Sequence, residues 1–354
     1  MYSRVDLFLF LPAVLLAILG SFTLSSVSPA SYPGHFIFLG LALLSFLAFA
    51  FLDLRILKTL APSFYIISCI LLVATLIFGG LTRGSVRWID LGPLSFQPSE
   101  IVKPLLIIFF AWIVARSRQE TRFLIAIGAL LLPFLLVLVQ PDLGSAIVII
   151  AGGLGVMFLG GIPVRFVAVL AILGIIIAPW AWTGLASYQK DRLSSYLSSE
   201  ADPLGSGYNS IQSQIAVGSG EMFGRGIGQG TQAQLLFLPE RHTDFIFASI
   251  AEELGFLGSS LIILAFAIIL VRIVLIARSA RDIFEKSILG GAFAVFFIQS
   301  GVNIGMNLGV LPITGIPLPF VSSGGSSLLA MSILLGIASA VSAEQKNLHF
   351  KFDI

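Results

Sequence analysis

Ten apolar stretches, each long enough to cross a bilayer, leave this chain little choice of architecture. They fall near residues 6–27, 33–52, 61–80, 98–116, 122–139, 143–160, 165–183, 244–272, 286–308 and 320–343. A helix rises about 1.5 Å per residue, so roughly 17–25 apolar residues match the hydrocarbon thickness. In lipid every backbone N–H and C=O must find its partner inside the protein, which selects helices. The expected fold is an all-α integral membrane protein of ten transmembrane helices, a single domain over residues 1–354. Composition agrees: 57% of the residues are apolar and 11% charged, about half the charge of an ordinary soluble domain.

Several functional classes drop out at once. A net charge of +2 gives no electrostatic reason to bind nucleic acid. Cys69 is the sole cysteine, so there is no disulfide framework and no thiolate metal site. His35, His242 and His349 are too scattered for zinc spacing. Arg4 and the apolar stretch behind it imitate a secretory signal, but further spans follow immediately. The stretch therefore reads as an uncleaved first transmembrane helix.

Short loops set the orientation. With the N-terminus in the cytoplasm, inner loops carry Arg55, Lys58, Arg116, Arg118, Arg122, Arg165, Arg272, Arg278, Arg281 and Lys286. The tail adds Lys346 and Lys351, whereas the short outer loops hold only Arg83 and Arg87. This positive-inside bias puts both termini in the cytoplasm. The long segment 184–243 is then extracytoplasmic. Within it, residues 191–197 (DRLSSYL) and Asn209–Ala216 predict short helices, and the Gly-rich run 218–230 predicts irregular chain.

Polar residues are expensive in a membrane and mark function when they cluster. Arg87, Trp88 and Asp90 lie in one outer loop. Gln97, Ser99 and Glu100 open the fourth span, with Lys103 a turn deeper. Gln140, Pro141 and Asp142 form the turn between the fifth and sixth spans. Asp244 opens the eighth, and Ser322, Ser323, Gly324 and Gly325 follow a proline-rich break at the tenth. All of these fall at the outer face, and the inner loops have no comparable constellation.

Each group also has a plain structural reading. Thr243 or Asp244 could cap its helix. As a helix, that segment lines Ala248, Ala251, Gly255 and Gly258 up roughly on the Asp244 face, a small-residue seam for close packing against neighbouring helices. Glu100 and Lys103, three apart, could form a local ion pair. Alternatively they could present charge to a groove entered from the membrane, with Pro104 opening space beside them. Trp88 serves equally as an interfacial anchor or as a platform for a headgroup, and Asp142 equally as a helix start. Glu252 and Glu253 read more readily as structural than as catalytic.

The segments RWIDLGPLSFQPSEIVK, QPDLGSA, DPLGSGYNSIQSQIAVGSG, GQGTQAQLLFLP, LPERHTDFIFASIAEELGFLG and LPITGIPLPFVSSGGSS together resemble the SEDS family (shape, elongation, division and sporulation). They run from residue 87 to 327 in the family's order. Glu240–Arg241 before His242 is similar to the family's rod-elongation branch rather than its division branch. The resemblance implies a peptidoglycan glycosyltransferase that polymerises lipid II outside the cytoplasmic membrane of a bacterium. It also implies a class B penicillin-binding protein, a transpeptidase, as partner. Asp244 matches the family's essential aspartate, and Glu100, Lys103, Trp88 and Asp142 match its other functional positions. Pro33, Gly34 and His35 depart from it, since the family often has a basic residue before the second helix.

In the chemistry this implies, Asp244 is the general base of an inverting displacement of undecaprenyl pyrophosphate. Lys103, Arg87, Lys190, Arg192 and Arg241 are candidate cations for the pyrophosphate. A divalent cation (Mg2+ or Mn2+) bound with the substrate could bridge it to Glu100 or Asp142. A groove lined by Glu100 and Lys103 would keep the polyprenyl chain in the bilayer. Two alternatives are a lipid II flippase and a non-enzymatic scaffold for a cell-wall crosslinking enzyme.

Overall fold

The structure, a computed structural model, describes residues 4–82, 85–90, 95–116, 121–166 and 207–352, with isolated positions 169, 172, 176, 179, 183 and 190. Its helices are α1 (Leu7–Val27), α2 (Tyr32–Phe51), α3 (Leu54–Phe78), α4 (Pro98–Arg116), α5 (Arg122–Val139) and α6 (Leu143–Leu159). After the long loop come α7 (Tyr208–Ser219), α8 (Thr231–Gln234), α9 (Ile246–Ser279), α10 (Ile283–Asn307) and α11 (Gly325–Phe352). Nine expected spans coincide with helices, and the span at 165–183 lies outside the described residues but for isolated positions. Among the described residues, seven helices are long and apolar enough to cross a membrane, and residues 123–139 and 143–159 form shorter apolar ones. The expected helix over Asn209–Ala216 is α7, whereas residues 191–197 are outside the described set.

The all-α expectation needs one correction. Between α3 and α4 the chain makes a small antiparallel sheet, β1 (Gly80–Thr82), β2 (Ser85–Asp90) and β3 (Ser95–Phe96), in the order β1-β2-β3. The polar and apolar alternation of Ser85–Trp88 suits a half-buried strand. The sheet holds Arg87 and Trp88 over the end of the bundle, with Trp88 opposite Gly80.

α4 and α11 form the centre of the bundle, and α4 is buried along nearly its whole length. The chain thus carries Glu100 and Lys103 on one of its least exposed helices. α4 runs unbroken through Pro104, which is itself buried, so the proline opens no space there. α6 crosses α10 at Gly155 and Gly290, where a Cβ on either residue would meet the other's carbonyl oxygen. Only glycine permits that approach, the membrane mode of helix packing.

α9 departs from the expected continuous helix. Gly255 has φ 66° and ψ −160°, a left-handed conformation that breaks the helix. The groups freed by the break are taken up by the loop after α7. Phe256 N donates to Glu221 O at 2.8 Å, Arg225 N to Glu252 O at 2.9 Å, and Gly226 N to Glu253 O at 3.0 Å. The small face of α9 therefore receives a backbone loop, with Gly220 against Ala251 and Gly224 against Glu253. It is not a seam between transmembrane helices. Such a break is tolerable at membrane depth because protein satisfies the freed groups.

Glu252 and Glu253 complete this clamp. Glu252 accepts from Gln232 N at 2.9 Å, Ala233 N at 3.2 Å and Thr231 Oγ1 at 3.3 Å, capping the start of α8. Glu253 accepts from Gly228 N at 3.1 Å and from the Ser26 hydroxyl on α1. Both are structural ties between the loop and the bundle.

Candidate functional site

Asp244 lies in the turn just before α9, half-buried. The helix N-cap falls on Phe245, not on Thr243 or Asp244. Three consecutive carbonyls here are each held from another element. His242 O accepts from Ser323 N at 2.9 Å, and Thr243 O accepts from Ser322 Oγ at 2.7 Å. Asp244 O accepts from both Asn303 Nδ2 and Asn307 Nδ2, each at 3.0 Å. Asn307 Oδ1 in turn accepts from Ala248 N, fixing the first turn of α9. A backbone held at every carbonyl fixes where the Asp244 side chain begins, as a reacting group requires. Glu240 (φ 49°) and Phe320 (φ 64°) flank this region in the left-handed conformation, which costs about 1–3 kcal/mol for a non-glycine residue and persists only where the surroundings impose it.

A second cluster surrounds Asp142. Its Oδ1 accepts from Ser145 N at 3.1 Å, so the helix-start reading holds. Its Oδ2 also accepts from Gln97 Nε2 at 3.2 Å and Ser99 Oγ at 3.3 Å. Arg87 stands 3.8 Å from Oδ1 and donates to the Pro141 carbonyl. One carboxylate thereby joins the sheet, α4 and α6.

The third cluster is the Glu100–Lys103 pair, at 2.6 Å, with side chains 2% and 1% exposed. Lys103 Nζ also donates to Gln299 Oε1 at 3.3 Å, and Gln299 Nε2 donates to Ser327 Oγ and Pro317 O. Among the described residues, Glu100 Oε2 is buried with no hydrogen-bond partner. The local ion pair is real, and both side chains face the protein interior. They do not line a groove open to the bilayer.

Two elements connect the clusters. The start of α11 supplies Ser326 Oγ to Gln97 N at 2.9 Å and Ser327 to Gln299, and the turn before it supplies Ser322 and Ser323 to the Asp244 loop. α10 supplies Gln299, Asn303 and Asn307, four residues apart and hence on one face. This stripe puts the Lys103 contact roughly 6–12 Å along the helix from the Asp244 contacts. Sequence reasoning missed the stripe, though three carboxamides at helical spacing in a membrane span are a legible signal.

The remaining candidates stand apart. Trp88 is half-buried in β2. Arg241 Nε donates to Val27 O at 3.1 Å, tying the loop to the end of α1. Lys190 Nζ donates to Thr183 O at 3.4 Å, and Arg192 lies outside the described residues. Among the described residues no group of three or more His, Cys, Asp or Glu side chains gathers as a metal-ligand set.

The chain matches the family described as cell cycle protein (FTSW_RODA_SPOVE) over residues 5–347. It is 43% identical over 300 residues to peptidoglycan glycosyltransferase MrdB of Escherichia coli K12, covering 83% of this chain and 80% of that protein. It is 36% identical over 362 residues to a probable peptidoglycan glycosyltransferase FtsW of Nitrosococcus halophilus, covering 96% and 93%. Among solved structures, a chain from work on coordination of polymerization and crosslinking by a peptidoglycan synthase complex superposes with TM-score 0.83 at 31% identity, covering 97% of this chain and 99% of that one. The rod shape determining protein RodA of Thermus thermophilus gives TM-score 0.73 at 28% identity, covering 96% and 97%.

Proposed function

The chain belongs to the family of cell cycle proteins that includes FtsW, RodA and SpoVE and is a peptidoglycan glycosyltransferase of the multi-pass membrane type; from that premise we propose that it polymerises lipid II during cell elongation, with Asp244 as general base. The observation that carries the proposal is the arrangement around Asp244, a half-buried carboxylate whose His242–Asp244 backbone is held by α10 and the turn before α11. Asp244 takes the proton from the 4-hydroxyl of the acceptor's GlcNAc as that oxygen attacks C1 of the donor's MurNAc. The C1–O bond to the pyrophosphate breaks, and undecaprenyl pyrophosphate leaves with the electron pair. A single displacement turns the α-linked donor into a β-1,4 linkage with one base and no covalent enzyme intermediate.

Arg87 and Lys103 would meet the charge developing on the leaving group, assisted by Arg241, Lys190 and Arg192 from the long loop. Trp88 and Asp142 complete the headgroup contacts. Lys103, held by Glu100, would be shared between that carboxylate and the arriving anion. A Mg2+ or Mn2+ ion carried by the substrate pyrophosphate needs only one or two protein carboxylates, and Glu100 or Asp142 would supply one. Polymerisation unchanged after thorough chelation would remove the ion from the proposal.

The site end of the bundle faces the cell wall in this reading, with both termini in the cytoplasm. A class B penicillin-binding protein is the proposed crosslinking partner, supported by the likeness to a chain from a complex that couples polymerization to crosslinking. The test is reconstitution of the purified protein with labelled lipid II. Wild type should yield glycan polymer, and Asp244→Asn should yield at least a hundredfold less while keeping the same melting temperature. Near-normal polymer from Asp244→Asn, or translocated monomer without polymer from wild type, would remove the assignment.

A further inference from the structure

α1 and α2 diverge on the outside of the bundle and leave a groove of about 740 Å³, floored by α11 and by Phe320. Its walls are almost wholly apolar: Ala17 and Phe22 from α1, Phe36 and Leu43 from α2, Leu328 beneath, and, among the described residues, no charged side chain. Phe22, Phe36 and Leu43 are also among the exposed large hydrophobics, so the groove is open to the surrounding bilayer. We infer that this groove seats the polyprenyl chain of a lipid diphosphate whose headgroup lies at Asp244, an inference that rests on the function proposed above.

Two observations fix the occupant. The first is continuity. Phe320 ends the groove, Val321 packs backbone-to-backbone against Gly20 of α1, and Ser322 donates to Thr243 O at 2.7 Å beside Asp244. An apolar tail in the groove and a polar head at Asp244 are thus a few residues apart, on the same end of the bundle. The second is the lining. From Phe10 to Phe22 the α1 wall runs roughly 18 Å, apolar along this length but for the Ser21 hydroxyl, and it opens to the bilayer. A hydrocarbon chain can enter such a groove without leaving the lipid, and a partner's transmembrane helix seated there is the competing outcome that the experiment reads. The groove also replaces the one expected beside Glu100 and Lys103, which are buried.

The experiment uses the full chain in lipid nanodiscs with an undecaprenyl diphosphate carrying a photoactivatable group in the isoprene units nearest its diphosphate. Adducts should map to α1, α2 and the groove floor at residues 320–335. Excess unlabelled undecaprenyl diphosphate should reduce them at least tenfold, whereas the same excess of dioleoyl phosphatidylglycerol should not. Ala17→Trp, which fills the middle of the groove, should cut labelling about tenfold. Leu43→Trp on the facing wall serves if that variant fails to fold. Ala267→Trp, on the exposed face of α9, should leave labelling unchanged. Adducts on other helices, equal competition by phosphatidylglycerol, labelling indifferent to both groove variants, or disulfide capture of a partner's transmembrane helix by Ile18→Cys would each overturn the inference. Labelling is read without catalysis. Specific labelling of a protein that makes no polymer would therefore defeat the proposed chemistry and leave the groove standing.

Discussion

Two buried ion pairs sit at opposite ends of this bundle and are built on different plans. Asp6 meets Arg272 at 2.6 Å, and Ser342 donates to the same carboxylate at 2.6 Å, with Lys346 at 4.0 Å. Asp6 Oδ1 also accepts from Phe8 N and Arg272 Nε, so both oxygens are engaged and α1, α9 and α11 are tied together. Glu100 meets Lys103 only three residues away on the same helix, and its second oxygen is buried without a partner. One pair joins distant helices directly and is fully satisfied, whereas the other reaches α10 only through Lys103 and Gln299 and leaves one carboxylate oxygen unpaired among the described residues. A half-satisfied buried network is a poor device for stability. The Asp6 pair therefore reads as a lock, and under the proposed function the Glu100 pair is the one that would meet a ligand.

The sharpest way to break this contrast is to neutralise the Glu100 pair. Replacing a buried ion pair by neutral residues of similar volume is often neutral or stabilising. Glu100→Gln with Lys103→Met should therefore keep or raise the unfolding free energy while polymerisation falls about a hundredfold, roughly 2.7 kcal/mol in the barrier. Loss of stability with retained activity would reverse the assignment. Asp6→Asn should do the opposite, because it leaves Arg272 without its charge partner. Arg272 keeps 23% side-chain exposure, so about 2–3 kcal/mol of stability should be lost, at or just below the usual range for a broken buried pair. Turnover per folded molecule should stay within about twofold of wild type, read by denaturant unfolding beside the polymer assay.

A smaller effect is expected from the α10 stripe. Asn303→Ala or Asn307→Ala removes one of the two side-chain hydrogen bonds to the Asp244 carbonyl, so kcat should fall about tenfold with KM unchanged. A change in KM alone would make these residues substrate contacts instead of positioning residues. The smallest effect concerns pH. Burial would raise the Asp6 carboxyl, but hydrogen bonds from Arg272 and Ser342 and the charges of Arg272 and Lys346 outweigh it and hold the pKa below the ordinary 3.8. A folded-state pKa below the unfolded one contributes stability above the unfolded value and loses it as pH falls through the folded value. The stability gap between wild type and Asp6→Asn should then be flat from about pH 8 to pH 5 and close only below about pH 4.

Much of the frame was legible in the sequence because hydropathy alone dictates it. The spans need only length and apolarity, and the cost of polar groups in lipid singled out Asp244, Glu100, Lys103 and Asp142. The break at Gly255 was not legible, since a glycine on a small-residue face reads the same whether it packs a helix or ends one. The loop that fills the break pairs residues 221–226 with residues 252–257, a long-range match with no local signature. The carboxamides Gln299, Asn303 and Asn307 could have been read from spacing, but charged residues drew attention away from neutral ones. The groove was expected beside Pro104 because a helix proline usually disturbs its surroundings. Dense packing around α4 absorbed it, and the open face formed between α1 and α2 instead.

The account stands on Asp244 as the group that accepts the proton, and chemical rescue tests this most directly. Asp244→Ala, reconstituted with lipid II, should make at least a hundredfold less polymer than wild type, and added formate should restore synthesis in proportion to its concentration. Formate should leave the Glu100→Gln, Lys103→Met double variant unrescued. An unassisted Asp244→Ala rate close to wild type would contradict the account.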